Sequence, residues 1–416
     1  MSQKLTIQSD AYGPLEHLLD AVAGWALRGN LPFTSLDPDM ILGQVRRTEG
    51  ADWGEERFME VFRVLVSCIE RRGVTPLGRV LLHAVFKKAL VNRVRMRRFM
   101  QRHPRYKDVS LKNPVFIVGF PRTGTTTLQN LLACGPTRHA PQYWELANPV
   151  PAHDDPVRDR RIRVNRTRRL LRAAYFFAPE QSDIHEITAT SPEEDWAFTA
   201  LTFAVINYAW QGIPEFGTYL MERDMVWVYE ELRAMFQVLM LQQPGMTLVT
   251  KCPDHLWFLD SLLTVFPDAC IVWTHRDPFP VIASYCSLSS LARRTMRGRA
   301  DVAQIGPDIT AQFRAGVDRA MHVRRQVGDD RFFDVHLEDT SRDPCGVVRS
   351  ICKHFNLPCG EGTEQEMQMW ALHNGRRDKP GRHRYDDRQF GLVREEVDLA
   401  FADYVHRYDV RVPLPK

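Results

Sequence analysis

Apolar positions repeat at helical spacing through the first hundred residues. Leu15, Leu18, Leu19, Val22 and Trp25 form one such stripe, and Phe58, Val61, Phe62, Leu65 and Ile69 form a second. Pro76 suits a helix start, and Leu77, Leu81, Val85 and Leu90 continue its pattern to about Met100, before Pro104 stops it. No strand-like alternation occurs there. From Pro114 the pattern changes. Val115–Val118 is a short, unbroken apolar run, as expected of a strand buried on both faces. Similar runs occur at 247–250, 270–274 and 332–337, with helical patterns at 125–134, 256–266, 279–288 and 310–327. Strands alternating with helices predict an α/β fold with a parallel sheet covered on both faces. Helices at 344–355 and 393–408 close the chain. The spacing also predicts a long helical insertion at about 155–243, between the first two strands.

Composition narrows the class. The chain has 416 residues, 44% of them apolar and 25% charged, which suits a folded globular protein and excludes extensive disorder. Basic residues exceed acidic ones by only 55 to 51, so charge gives no case for nucleic acid. No apolar run reaches the length of a membrane span. Met1–Asp20 lacks a basic segment followed by an apolar one, so no secretion signal is expected. The eight cysteines include no C-x-x-C pair and read as small apolar residues in a reduced, cytoplasmic chain. Eight arginines fall between Arg158 and Arg172. Such a run is either a solvated helix face or a binding site for a phosphate-bearing carrier or acidic acceptor.

Three motifs carry chemistry. The first is Gly119-Phe120-Pro121-Arg122-Thr123-Gly124-Thr125-Thr126-Thr127, between a strand and a helix. That arrangement aims backbone N–H groups and a helix dipole at an anion. The two glycines are spaced as in an ATP- or GTP-binding loop, but Thr125 stands where that loop needs a lysine, and Arg122 supplies the cation from within. The second is Val272-Trp273-Thr274-His275-Arg276-Asp277-Pro278, with Ser284 eight residues after Arg276. A guanidinium and a hydroxyl there can hold a second phosphate, or Arg276 and Asp277 can form a surface pair. The third is Thr250-Lys251-Cys252-Pro253 after a strand, in a chain where only nine of the 55 basic residues are lysine.

From Pro114 to about Leu392 these residues resemble the sulfotransferases that use 3′-phosphoadenosine-5′-phosphosulfate (PAPS), bacterial members more than animal cytosolic ones. The resemblance implies a three-layer P-loop-like fold with a central parallel sheet at 111–416, preceded by an all-helical extension at 1–110. It implies that Arg122, Thr123, Gly124, Thr125, Thr126 and Thr127 bind the 5′-phosphosulfate. Arg276 and Ser284 would hold the 3′-phosphate, and Lys251 would stabilise the leaving oxygen. The product would be adenosine 3′,5′-bisphosphate, and no metal is required. The animal enzymes place a catalytic histidine two residues after the lysine; Pro253 occupies that position, so the base must lie elsewhere. Glu145 is the first candidate, since some relatives use a glutamate at a comparable place; a structural salt bridge is its alternative. His185 with Glu186 follows, then His255. Glu194 belongs to Ser191-Pro192-Glu193-Glu194, which also reads as a helix capping box. Arg382 and Arg384 lie in a basic loop that in relatives closes over the 3′-phosphate. Leu337 stands where the family has a tyrosine near adenine. The expected acceptor is a hydroxyl on a small, lipophilic or carrier-bound molecule, and a homodimer fits this reading. Rival readings are an ATP-dependent phosphotransferase and an inactive nucleotide-binding scaffold.

Overall fold

The structure, a computed structural model, describes residues 11–177, 187–375 and 387–412. Five strands form one parallel sheet in the order β2-β3-β1-β4-β5. They are β1 (Val115–Gly119), β2 (Arg138–His139), β3 (Thr247–Lys251), β4 (Cys270–His275) and β5 (Phe332–His336). Four of them fall on the apolar runs. The two-residue β2 has no run of its own, so the helical insertion lies between β2 and β3 and not between the first two strands.

Period-two alternation sorts each strand's side chains into two layers. Val115 and Ile117 of β1 face a layer with Leu128 and Leu131 of the helix after β1, and with Val348 and Ile351. Phe116 and Val118 face the opposite layer, with Trp273, Phe236 and Phe266. The result is the predicted three-layer α/β arrangement.

The N-terminal region is helical as expected: α1 (Pro14–Arg28), α2 (Pro38–Glu49), α3 (Arg57–Arg71) and α4 (Pro76–Arg102). Thr75 caps α4 through the Gly78 N–H, and Pro76 sits at its first turn. Phe58 and Phe62 of α3 and Phe86 of α4 enclose Phe203 of the insertion, with ring centroids 6.3, 4.1 and 5.8 Å away. α2, α3 and α4 therefore share one core with the sheet domain, whereas Leu15, Leu18, Val22 and Trp25 of the predicted α1 stripe are exposed.

The element after β1 is α5 (Thr125–Leu132). α6 (Tyr143–Ala147) and α7 (Pro156–Phe177) follow β2. Because β1 is central, with β3 on one side and β4 on the other, the chain leaves the sheet in opposite directions around it. Ligands of open α/β sheets bind at the carboxyl ends of strands at such a switch point.

Candidate active site

The loop Phe120–Gly124 leaves β1 and turns into α5. Gly124 caps α5 with φ 85°, and Gly119 has φ 132°. A Cβ on Gly119 would lie 2.4 Å from the Thr274 hydroxyl oxygen, and one on Gly124 would lie 2.7 Å from a Leu337 methyl carbon. Glycine is required at both positions by space and by backbone angle. Arg122 also has positive φ, 67°, which projects its exposed side chain from the turn. The Thr123 hydroxyl points inward: it donates to the Phe120 carbonyl at 2.7 Å and lies 2.6 Å from the Thr274 hydroxyl. It shapes the loop, so an anion can meet only its backbone N–H. Thr125 is buried, Thr127 half-buried and Thr126 exposed, all in the first turn of α5. Their N–H groups fall where a helix leaves donors without intrahelical partners.

The neighbouring strands deliver the other two motifs to the same sheet edge. Ile117 is in register with Lys251, and Gly119 with Thr274. Lys251 and Arg276 therefore flank the loop from either side, Lys251 one strand away on β3 and Arg276 just past the end of β4, four residues beyond the level of Lys251. The Arg276 guanidinium donates to the Arg122 carbonyl at 2.7 Å, which fastens the β4 end to the loop. Arg276 does not pair with Asp277. Asp277 is buried, caps the helix Pro278–Arg297 through the Phe279 N–H, and pairs with Arg394 at 2.9 Å. Ser284 lies half-buried in the second turn of that helix.

Lys251 is 1% exposed, and its Nζ lies 2.8 Å from Glu194. Burial alone would lower its pKa, but the charges of Glu194 and then Glu193 outweigh burial and raise it. The ammonium is thus fixed and charged. Glu194 reaches it because its segment is extended. Glu193 donates its N–H to the Pro141 carbonyl at 3.0 Å, and Gln129 of α5 donates to the Glu193 carbonyl at 3.2 Å. The Asp195 N–H then meets the Lys251 carbonyl at 3.2 Å. This overturns the capping-box expectation. The next helix, Trp196–Thr199, begins after Asp195, and the Ser191 hydroxyl turns back to the Thr188 carbonyl, so Glu194 is released from helix capping.

The true capping box is at Gln142-Tyr143-Trp144-Glu145. Glu145 is 3% exposed; one carboxylate oxygen accepts from the Gln142 N–H at 2.7 Å and lies 3.0 Å from His139 Nε2. These contacts hold α6 against β2. His255 is likewise occupied: Nε2 lies 3.0 Å from Asp195 and Nδ1 3.0 Å from the Tyr229 hydroxyl. Asp195 also accepts from Thr250, so a buried Tyr229–His255–Asp195–Thr250 chain underlies Lys251. His185, Glu186, Arg382 and Arg384 lie outside the described residues.

One titratable group escaped the motif reading. Asp254, three residues beyond Lys251, is buried, with the Asn207 backbone near its carboxylate and no side chain hydrogen-bonded to it among the described residues. Burial, and then the charge of Glu194, push its pKa up to about 7. The available signal was its place in Lys251-Cys252-Pro253-Asp254-His255, a tight turn that must run inward beneath the lysine. Among the described residues, no group of His, Cys, Asp and Glu side chains is placed to hold a metal ion.

A loop of the phosphate-binding kind without the NTPase lysine, flanked by a lysine on one strand and an arginine on another, places the chain among P-loop-like transferases. The sulfotransferase family profile matches residues 114–361, and the chain belongs to that family. It is 26% identical over 271 residues to the omega-hydroxy-beta-dihydromenaquinone-9 sulfotransferases Stf3 of Mycobacterium bovis and Mycobacterium tuberculosis. That match covers 59% of this chain and 63% of those relatives' length. Among solved structures, sulfotransferase STF9 from Mycobacterium avium superposes with TM-score 0.79 at 27% identity, covering 90% of this chain and 97% of that one. Sulfotransferase STF1 from Mycobacterium tuberculosis superposes equally, with TM-score 0.79 at 26% identity, covering 88% and 98%.

Proposed function

We propose that the protein transfers the sulfuryl group of PAPS to the hydroxyl of a lipophilic acceptor. One observation carries this reading: the Arg122 loop, the Lys251–Glu194 pair and Arg276 stand at the carboxyl ends of three adjacent strands. The loop N–H groups and Arg122 hold the 5′-phosphosulfate. Arg276 and Ser284 hold the 3′-phosphate. Lys251 donates to the bridging oxygen, where negative charge collects as its bond to sulfur breaks.

The acceptor oxygen attacks sulfur from the opposite side, and its proton must leave. Glu194 is the base in this proposal. It is the carboxylate that touches Lys251, and its side chain is partly open. It takes the acceptor's proton, the new S–O bond forms, and adenosine 3′,5′-bisphosphate departs with the electron pair of the broken bond. Lys251 has further N–H donors beyond the one directed at Glu194, so it can serve both reactants. The lipophilic acceptor rests on the relatives named for an omega-hydroxylated dihydromenaquinone.

The test is calorimetry on Arg276→Ala. Loss of a forked, charged contact should weaken adenosine 3′,5′-bisphosphate by about 2–4 kcal/mol. Binding of adenosine 5′-phosphosulfate, which lacks the 3′-phosphate, should fall far less, by no more than the loss of the Arg276 bond to the Arg122 carbonyl costs the loop. Equal loss for both ligands, or tighter binding of magnesium-ATP than of the bisphosphate by the parent protein, would sink the reading.

A further inference from the structure

We propose that the outer face of α7 docks on an anionic lipid bilayer, beside the catalytic pair. Seven of the eight arginines between Arg158 and Arg172 are exposed. The eighth, Arg163, is buried over the Trp144 ring and pairs with Asp159 at 2.9 Å. Asp159 is the helix's only acid, and it is buried, so no carboxylate on α7 offsets the exposed cations. The sequence reading left open whether this run was a solvated face or a binding site.

The shape of the face favours a bilayer over a single phosphate. The arginines run along about 21 Å of helix at 1.5 Å per residue, a stripe with no convergence on one point. Val157 and Leu170, 80% and 41% exposed, border the stripe on its opposite edges. A groove of about 720 Å³ runs beside the stripe. Arg160, Arg161 and Arg168 line it together with Val157, Val164 and Thr190. Cations on apolar walls suit a lipid phosphate with the first carbons of its chains. Basic helices with some exposed apolar side chains bind anionic bilayers in this way.

The face is also tied to the site. α7 packs on α6 and on the segment leading to Glu194, through a cluster of Trp144, Val164, Leu171 and Ala189. The Tyr175 hydroxyl donates to the Ile187 carbonyl at 3.0 Å, and the Trp144 N–H meets the Ala189 carbonyl at 2.9 Å. A bilayer seated on the outer face of α7 is therefore one helix away from the segment that carries the proposed base. Delivery of a membrane-borne acceptor rests on the lipophilic acceptor proposed above; the docking itself does not.

The experiment is co-sedimentation of the full chain with phosphatidylcholine vesicles, with and without 30% phosphatidylglycerol. Binding should require phosphatidylglycerol and weaken as salt rises. The triple variant Arg160→Gln/Arg161→Gln/Arg168→Gln should bind at least tenfold more weakly. The control Arg71→Gln/Arg105→Gln/Arg325→Gln removes the same charge from exposed sites elsewhere and should change binding less than twofold. Bisphosphate binding and turnover of a soluble phenol should be unaffected in both triples. Absence of vesicle binding by the parent overturns the proposal, as does equal loss in the control or a preference for soluble acidic proteins over vesicles. Loss of bisphosphate binding by the parent would strike at the sulfotransferase reading and leave the docking measurement standing.

Discussion

Two glutamates, 145 and 194, carry the same functional group into different environments. Glu145 spends its carboxylate on an α-helix start, while Glu194 spends its own on a buried ammonium. Glu145→Gln should therefore lower the melting temperature by about 1–2 °C and leave turnover of the folded enzyme near the parental value, since a cap contributes about 1 kcal/mol. Glu194→Gln should reduce kcat by about 10²-fold or more with bisphosphate affinity within about twofold. Stopped assays paired with calorimetry separate the two outcomes, and a reversed pattern would return the base to Glu145. Asp254 makes a pH prediction. Its folded pKa of about 7 stands above the ordinary carboxyl value near 4. Between those limits the folded chain keeps a proton that the unfolded chain has released. Its contribution to stability is present in full below about pH 4 and is lost as pH rises through 7. Asp254→Asn removes that loss, so its melting temperature should gain on the parent's from pH 5 to about pH 7 and level off by about pH 8. A constant difference across that range would mean that Asp254 is already ionised in the fold at pH 5.

The loop between β1 and α5 works as an element because its inside is filled by β4. Thr274 holds the Thr123 hydroxyl and occupies the space beside Gly119. Gly119→Ala should both destabilise the protein and abolish bisphosphate binding, because the new methyl group drives the loop off β4. If melting falls but binding survives, the loop does not need its packing on β4 to cradle phosphate. Most of this element was legible in the sequence, since the glycine spacing, the threonines and the apolar strand are all local signals. The direction of the Thr123 hydroxyl was not legible. It depends on Thr274, a residue 151 positions away that the parallel pairing of β1 and β4 brings alongside.

At the scale of the molecule, the N-terminal helices and the insertion are bound by aromatic packing around Phe203. Truncating a buried phenylalanine in such a cluster costs about 3–5 kcal/mol. Phe203→Ala should lower stability by that amount in urea, with far-ultraviolet and aromatic signals still moving in one transition. Separate transitions would mean that the N-terminal helices form an independent unit.

The sequence by itself determined the α/β class, four of the five strands, the helical character of the first hundred residues and the three motifs that hold the donor in the proposal. Those signals are local: periodicity, glycine spacing and a charged residue at a strand end. The tertiary structure decided which carboxylate meets the lysine. A capping-box sequence reads alike whether or not a helix follows. Only the hydrogen bonds from Glu193 to Pro141 and from Asp195 to Lys251 show that this chain stays extended at Glu194 and turns helical after Asp195. The two-residue β2 likewise exists because β3 lies beside it, and Glu145 became a capping residue because α6 begins where β2 ends. Burial and long-range pairing fix such choices, and neither is written in the spacing of residues along the chain.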